Sequence, residues 1–417
     1  RDYTKTINNL ELQAKVLMVM DIGPLLLAFG LCVGLIALLI RPARAWGWVD
    51  RPTTRKHHLT PVPLVGGLAM CVAYGLSLLV LPAPPHAYEA LLIAMALMTL
   101  VGLYDDLRAT RPAIRFVLQG GVVLIMVFGG GILLGNLGDL LGLGDVTAPG
   151  GIALLLTLFC VVGVINAFNM SDGLDGLAGG LALIAAGWLI VLLEIAPIAD
   201  SGDGDALWTL VMVVAGFLCF NLRHPWRARA SVFMGDAGST MLGFVLAWFL
   251  VHLSQNREAV MTPMTAVWIL ALPLMDTVAV MIRRIRLGHN PFAADRRHLH
   301  HLLLSCGLSD GRATALLLAM ALMNGAAGVA AHWLEAPECV QFYAFLVLFG
   351  GYYLMTARLW ERQRSTAPPG AVERRGAPPP GIVDVAAGIG IMTSHRDEVA
   401  VVDPAGQDGP GCNPADP

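Results

Sequence analysis

Residues 151–195 read GIALLLTLFCVVGVINAFNMSDGLDGLAGGLALIAAGWLIVLLEI. Two apolar runs, at about 151–167 and 177–196, flank a short polar turn. Each run is close to the ~20 residues that an α-helix needs to cross a bilayer. The turn contains two aspartates and neither Lys nor Arg. The stretch therefore predicts two membrane-spanning helices joined by a turn of unusual composition.

The whole chain has the composition of a membrane protein. Of its 417 residues, 56% are hydrophobic and 14% are charged, and its mean hydropathy is +0.67. These values are far from those of a water-soluble domain. The pattern predicts an all-α polytopic membrane protein with about eleven transmembrane helices. The apolar stretches lie at about 22–40, 64–81, 88–104, 116–135, 151–167, 177–196, 207–222, 238–254, 261–282, 313–331 and 340–357.

Positive charge predicts the orientation of these helices. Lys and Arg in short loops are retained on the cytoplasmic side. One alternating set of connections carries the basic clusters around Arg44, Arg111, Arg227 and Arg284, whereas the opposite set holds only Arg257. We therefore expect an N-terminus outside and a cytoplasmic C-terminus.

The chain ends suggest three regions. Residues 1–21 are too polar to span and form an N-terminal extension, with Met18 or Met20 as the expected natural start. Residues 22–357 form the transmembrane domain. Residues 358–417 form a cytoplasmic tail, expected to be disordered because it is rich in Pro, Gly and Ala. The seven cysteines include no C-x-x-C pair, and nothing in the charge pattern indicates nucleic-acid binding.

Chemistry-capable residues are concentrated in the connections on the basic side. The first cluster, GLYDDLRATRPAIR, places Asp105 and Asp106 just past the third predicted span. Adjacent carboxylates repel one another, so a cation or a proton between them is favourable. The alternative is a solvated helix end.

The second cluster is the turn quoted above. Asp172 and Asp175 are three residues apart and would share one face of a helical turn. Asn166 and Asn169 offer amide oxygens beside them, and Gly173 allows a ligand to approach the backbone closely. Carboxylate and carbonyl oxygens are the ligands that Mg²⁺ prefers. The alternative, a simple turn, explains the glycines but not two carboxylates and two amides.

The third cluster, SVFMGDAGSTMLGF, places Asp236 directly before a predicted span. Backbone N–H groups at a helix start bind anions, so this position suits a phosphate-containing ligand. The alternative is an ordinary helix N-cap, because Asp and Ser are common at that position.

The fourth cluster, HNPFAADRRHLHHLLLSCGLS, combines His298, His300 and His301 with Arg296 and Arg297. Such a basic patch can hold a diphosphate or a sugar phosphate. A zinc site is disfavoured, because His298 and His300 are expected to face opposite ways and no Cys accompanies them. The alternative is a loop that is basic only for topological reasons.

A shorter basic feature, DRPTTRKHHLTPVPLVGG, contains Lys56. Phosphate binding and topogenic charge explain it equally well.

The four clusters, in this order and separated by predicted spans, resemble the polyprenyl-phosphate N-acetylhexosamine-1-phosphate transferases. The resemblance covers about residues 22–357 and rests on GLYDDLRATRPAIRF, NAFNMSDGLDGLAGG, VFMGDAGSTMLGF and NPFAADRRHLHHLLLSCGLS. The H-x-H-H element at 298–301 looks like the WecA-type branch, which uses UDP-GlcNAc, and unlike the phospho-MurNAc-pentapeptide branch.

The resemblance implies an enzyme that transfers GlcNAc-1-phosphate from UDP-GlcNAc to undecaprenyl phosphate and releases UMP. It implies Mg²⁺, with Mn²⁺ as a substitute, and a site on the cytoplasmic face of the bacterial inner membrane. The product would begin a cell-surface polysaccharide such as O-antigen. A homodimer is left open.

The resemblance also assigns roles to residues. Asp236 and Asn169 would hold the metal against the diphosphate, and Asp105 or Asp106 would receive or deprotonate the acceptor phosphate. Asp172 and Asp175 would position the metal, nucleotide and phosphates. The sugar-phosphate end would contact Arg296, His298, His300 and His301, with Lys56 at a phosphate. The first motif reads DDLRAT and lacks the third Asp of D-D-x-x-D, which makes metal binding by Asp105 and Asp106 themselves doubtful.

Two alternatives remain at this point. The same chemistry with another UDP-N-acetyl sugar or with UDP-MurNAc-pentapeptide is open, because the choice of sugar rests on one loop. A membrane transporter is less consistent with the sequence. Carriers place ionisable residues near the membrane midplane, whereas every Asp cluster here falls at the end of a predicted span.

Overall fold

The computed structural model describes residues 22–50, 61–81, 87–108, 110–196, 202–223, 227, 229–255, 259–291 and 298–366. Lys56, Arg296, the extension 1–21 and the tail from 367 lie outside these residues. Thirteen helices are present in the described part. They are α1 (Ile22–Trp46), α2 (Gly66–Leu78), α3 (Ala87–Arg108), α4 (Pro112–Gly130), α5 (Gly150–Ser171), α6 (Leu177–Ile195), α7 (Asp203–Asn221), α8 (Gly235–Gln255), α9 (Pro263–Ile269), α10 (Ala271–Arg286), α11 (Leu299–Ser305), α12 (Asp310–Trp333) and α13 (Glu338–Thr366).

The prediction of an all-α polytopic membrane protein is confirmed. Each of the eleven predicted segments contains a helix, and nine helices in the described residues are long and apolar enough to cross a membrane. The other two predicted segments contain a short helix and a bent pair of helices. The segment at 64–81 contains only the 13-residue α2, and the segment at 261–282 is the pair α9 and α10, which meet at 80°. The last helix continues to Thr366, past the expected boundary at 357.

The bend between α9 and α10 has a local cause. Leu270 separates the two helices with φ −99° and ψ 17°, outside the helical region. Pro273 lies in the first turn of α10, where a missing backbone N–H costs little. The continuous apolar run therefore forms two short helices instead of one straight span.

Helix α8 is the centre of the bundle. In its apolar window 94% of the residues are buried, whereas the corresponding value is 17% for α1 and α13. It packs against α2, α3, α5 and α6, and Phe244, Trp248 and Phe249 are completely buried. An apolar helix surrounded by other helices is expected in the core of a membrane bundle.

Glycines allow the backbones of α2, α3 and α8 to approach closely. A Cβ added at Gly102 would lie 2.5 Å from the carbonyl oxygen of Asp236 and from Cα of Ala237. A Cβ at Gly67 would likewise overlap the backbone of Gly238. Small residues at helix crossings have this function in membrane proteins. As a result, the end of α3 and the start of α2 lie against the first turn of α8.

A short antiparallel pair, β1 (Val49–Asp50) and β2 (Val62–Pro63), closes this same end of the bundle. The backbone N–H of Phe233 donates to the carbonyl of Pro63 at 3.0 Å, which joins β2 to the segment before α8. We call the end of the bundle that contains β1, β2 and the start of α8 at Gly235 the site end.

The opposite end is held by separate polar contacts. The hydroxyl of Tyr88 donates to the buried carboxylate of Asp203 at 2.7 Å. The side-chain oxygen of Gln255 accepts from the backbone N–H groups of Gly135 and Asn136 at 3.0 Å and 2.8 Å. These contacts hold the connections at the end of the bundle opposite the site end. None of the four clusters identified in the sequence takes part in them.

The close approach of α3 to α8 predicts the effect of Gly102→Ala. The added methyl group must displace backbone, so we expect a loss of about 1–3 kcal/mol of unfolding free energy and a lower Tm in detergent. The matched control is Gly163→Ala, an exposed mid-helix glycine with no atom within 4 Å of an added Cβ. It should be neutral or stabilising by up to about 1 kcal/mol. Equal Tm values for the two variants would contradict the packing described here.

Candidate active site

Asp106 connects the end of α3 to the start of α8. Its Oδ1 accepts from the backbone N–H of Asp236 at 2.9 Å, and its Oδ2 accepts from that of Ala237 at 3.2 Å. The first N–H groups of a helix have no partner within the helix, and a carboxylate there is also favoured by the helix dipole. Asp106 therefore caps α8 from a neighbouring helix and fixes the position of Asp236.

Asp105 holds an arginine beside Asp236. Its Oδ2 accepts from Nη1 of Arg115 at 2.7 Å, and its Oδ1 accepts from the backbone N–H of Thr110 at 2.7 Å. The same Arg115 nitrogen lies 3.5 Å from Oδ2 of Asp236. Arg115 in the first turn of α4 thus bridges two carboxylates from different helices.

Asn169 approaches Asp236 from the last turn of α5. Its Nδ2 donates to Oδ1 of Asp236 at 2.7 Å and to the hydroxyl of Ser239 at 3.0 Å. This orientation directs its carbonyl oxygen away from Asp236. The other asparagine of the motif, Asn166, is buried and donates to Gln119 at 2.7 Å, which is a contact between α5 and α4. Asn169 therefore belongs to the cluster around Asp236, and Asn166 supports the helix packing.

Asp172 is a half-buried carboxyl group that follows α5 directly. Burial, together with the nearby carboxylates of Asp236, Asp106 and Asp175, raises its pKa to about 8. The site is therefore an acidic cluster whose charge Arg115 offsets only in part. Such a cluster favours a bound cation.

Asp175 has a different set of partners from Asp172. Its Oδ2 accepts from Nε of Arg223 at 2.7 Å and from the backbone N–H of Ala230 at 3.0 Å. Arg223 also pairs with Asp310 at 2.6 Å, at the start of α12. The expectation that Asp172 and Asp175 share one face of a helix is wrong, because α5 ends at Ser171 and both residues lie in the turn before α6.

The histidine cluster lies at the same end of the bundle. Nδ1 of His298 is 2.7 Å from Oδ2 of Asp276. The rings of His298 and His300 stack with centroids 5.8 Å apart and planes 4° apart, so the expectation that they face opposite ways is wrong. His300 lies directly over Gly173, where an added Cβ would overlap its imidazole. This contact joins the fourth cluster to the second.

Burial lowers the pKa of His300 to about 3, with smaller contributions from His301 and His298. His300 is therefore neutral near pH 7, whereas the sequence alone suggested a uniformly basic patch. His298 and His300 are almost equally buried, at 6% and 5% exposed.

Three site residues were missed at the sequence level. Arg115 and Arg223 were interpreted only as topogenic charge, and Asp276 was passed over. A detectable signal existed for Asp276, because an ionisable residue inside an apolar segment is by default a functional candidate. For the arginines the sequence gives no equivalent signal, since their carboxylate partners are distant along the chain.

The oxygen ligands available in the site fit a metal ion that also binds the phosphates of a substrate. Within the residues that the structure describes, no group of three or more His, Cys, Asp and Glu side chains is arranged to hold a metal ion. Asp236 would supply carboxylate oxygens, and Asn169 would add its amide oxygen after a turn of the amide group, since its Nδ2 now faces Asp236. Mg²⁺ usually keeps several waters and binds through one or two carboxylates plus substrate phosphates. The arrangement suits that mode and not a cage made of protein alone.

Comparison with known proteins gives the family of the chain. The family model described as glycosyl transferase family 4 matches residues 88–254, which contain the first three clusters. The undecaprenyl-phosphate alpha-N-acetylglucosaminyl 1-phosphate transferase of Escherichia coli (strain K12) is 36% identical over 329 residues, covering 77% of this chain and 87% of the relative. The chain belongs to glycosyl transferase family 4. The family resemblance carried by the four motifs is thereby confirmed.

Two further relatives carry the same name. The protein of Salmonella typhimurium (strain LT2) is 37% identical over 325 residues, covering 76% of this chain and 86% of the relative. That of Haemophilus influenzae is 34% identical over 336 residues, covering 79% and 92%. The family model ends before Asp276 and the histidine cluster, whose place in the site therefore rests on the structure of this chain.

The raised pKa of Asp172 predicts a pH-dependent gain of stability in Asp172→Asn. An unfolded Asp titrates near pH 3.9, and the folded side chain titrates near pH 8. Between these values the folded state holds a proton that the unfolded state has lost, so stability falls as pH rises. We compare the Tm of Asp172→Asn with that of the unsubstituted protein in EDTA. The two values should be equal near pH 4, and the variant's advantage should grow up to about pH 8. Above that pH the difference in Tm should stay constant.

The control for this prediction is Glu194→Gln, which removes an exposed carboxyl group at the other end of α6. A gain in Asp172→Asn that is independent of pH, or no gain, would show that Asp172 is not destabilised by its surroundings.

Proposed function

We propose that this enzyme transfers GlcNAc-1-phosphate from UDP-GlcNAc to undecaprenyl phosphate, giving undecaprenyl-diphospho-GlcNAc and UMP. The observation that carries the proposal is that three clusters, distant along the chain, meet at the first turn of α8, while the histidine cluster contacts the second of them at Gly173. The names of the relatives supply the substrates. The acidic cluster, the bridging arginine and the adjacent histidines suit a reaction between two phosphate groups.

The proposed reaction is a phosphoryl transfer. An oxygen of the acceptor phosphate attacks the β-phosphorus of UDP-GlcNAc, and a bond forms between them. The bond from that phosphorus to the bridging oxygen breaks, and the oxygen leaves with UMP. Because nucleophile and electrophile are both anionic, the enzyme must offset their repulsion, and catalysis then consists of positioning and charge stabilisation.

Arg115 is well placed to contribute this stabilisation. Asp105 holds its guanidinium 3.5 Å from the carboxylate of Asp236. A phosphate oxygen that entered between them would accept from Arg115, whose planar group suits oxyanions. We assign Asp236 and Asn169 to holding Mg²⁺, or Mn²⁺, against the diphosphate. When bound, that ion would neutralise charge on the phosphate oxygens.

The remaining roles follow the family pattern and stay predictions. Asp105 or Asp106 receives or deprotonates the acceptor phosphate. Asp172 faces the metal and the phosphates, and Asp175 fixes the turn through Arg223. The sugar-phosphate end contacts Arg296, His298, His300 and His301, and Lys56 contacts a phosphate.

The location follows from the acceptor and the charge pattern. A polyprenyl tail stays in the lipid while its phosphate lies at the membrane surface, so a site at the end of the bundle can meet both the lipid and a soluble nucleotide. The basic connections at this end support a cytoplasmic position for it. We therefore propose the bacterial inner membrane, with the first membrane step of a cell-surface polysaccharide as the role and a homodimer as an open arrangement.

The proposal is tested with purified protein in detergent, undecaprenyl phosphate and Mg²⁺. UDP-GlcNAc, UDP-GalNAc and UDP-MurNAc-pentapeptide are offered separately, and UMP release is followed. We expect UMP from UDP-GlcNAc alone. Release from another donor would keep the mechanism and correct the sugar, and release from none by folded protein would contradict the proposed function and favour a transporter.

Asp236→Asn tests the residue at the centre of the site. We expect UMP release to fall by about 10²-fold or more, because the amide cannot provide the charge that offsets a cation and Arg115. Asp145→Asn, in the connection at the opposite end, is the matched control and should keep full activity. Retained Mg²⁺-dependent turnover in Asp236→Asn would contradict the role of Asp236.

A further inference from the structure

The last helix presents a narrow polar stripe to the bundle. The described residues of α13 are mostly exposed or half-buried, but Gln341, Tyr352 and Thr356 are each no more than 5% exposed. Each of them has a partner on the bent pair. The indole N–H of Trp268 donates to the backbone carbonyl of Gln341 at 3.2 Å, and Nη2 of Arg283 donates to the side-chain hydroxyl of Thr356 at 3.3 Å. These contacts hold α13 against α9 and α10.

Tyr352 is the member of this stripe that reaches the site. Its hydroxyl donates to Oδ1 of Asp276 at 2.8 Å. The same oxygen accepts from the backbone N–H of Leu299 at 2.9 Å, and the other oxygen, Oδ2, is 2.7 Å from Nδ1 of His298. One largely buried carboxylate therefore binds the last helix, the backbone at the start of α11 and an imidazole of the site.

This arrangement fixes both the position and the direction of His298. A histidine that donates from Nδ1 to a carboxylate presents Nε2 on the opposite side of the ring, and the carboxylate fixes that tautomer. The bond from Leu299 holds the adjacent backbone. The bond from Tyr352 in turn restricts rotation of the Asp276 carboxylate, because a buried acceptor keeps the orientation that satisfies its donors.

We propose that Tyr352 and Asp276 are positioning residues that set His298 for the sugar-phosphate end of the donor. The inference rests on the proposed function, in which His298 contacts that part of UDP-GlcNAc. Neither residue touches the reacting atoms. Both lie outside the residues matched by the family model, and their effect reaches the substrate only through the imidazole.

Tyr352→Phe isolates this effect, because it removes one hydroxyl and keeps the ring. We expect the KM for UDP-GlcNAc to rise about tenfold, the size expected for one hydrogen bond to a charged group. The KM for undecaprenyl phosphate should stay unchanged, whereas the Tm should fall modestly because a buried hydrogen bond to Asp276 is lost. Asp276→Asn should raise the KM for UDP-GlcNAc further.

The matched control is Tyr353→Phe on the next residue. The hydroxyl of Tyr353 accepts from Nη1 of Arg286 at 2.9 Å and has no contact with Asp276 among the hydrogen bonds of the described residues. This variant should keep both KM values.

A double-mutant cycle shows whether Tyr352 acts through His298. In the His298→Ala background, Tyr352→Phe should have no further effect on the KM for UDP-GlcNAc. A persisting tenfold effect would overturn the proposal. So would an unchanged KM in Tyr352→Phe, or a parallel rise of both KM values, which would indicate a structural role. Failure of the proposed function is distinguishable, because the unsubstituted protein would then release no UMP from any donor.

Discussion

The carboxylate of Asp106 on the backbone N–H groups at the start of α8 is the contact on which the site depends. It joins the end of α3 to the helix that carries Asp236, and it exists because Gly102 lets the two backbones approach. Once α8 is fixed, Asn169 reaches Asp236 from α5 and Arg115 reaches it from α4. Loops from distant parts of the chain then converge on one helix terminus. Asp106 occupies the first N–H groups of that helix, so a phosphate there would be bound by Arg115 and a cation and not by the helix itself.

The charge balance of the site explains why it requires its substrates. Asp105 and Asp106 have donors for both oxygens, whereas the pKa of Asp172 is raised to about 8 by burial and neighbouring carboxylates. The ligand-free enzyme therefore carries a stability cost at the centre of its site. Functional sites commonly carry such a cost, which a bound cation with its phosphates would relieve. The two histidines also have different surroundings. Burial keeps His300 neutral near pH 7, whereas the carboxylate of Asp276 holds His298.

The sequence predicted most of the architecture because a helix that crosses the bilayer needs about 20 predominantly apolar residues. It also located three clusters whose residues the structure brings together. The sequence could not show that Asp172 and Asp175 have different partners, because Arg223 and Ala230, which bind Asp175, are far away along the chain. The break at Leu270 was also hidden, since apolar residues continue through it. Asp276 was detectable in principle as a charge in an apolar run, yet its bonds to His298 and Tyr352 require the packed structure.

The measurement that tests the account most directly is a cryo-electron microscopy structure of the enzyme in lipid nanodiscs with UDP-GlcNAc and Mg²⁺. The account predicts the donor diphosphate at the start of α8, with metal density beside the carboxylate of Asp236 and a phosphate oxygen on Arg115. A nucleotide bound at the opposite end of the bundle, near Asp203 and Gln255, would contradict it.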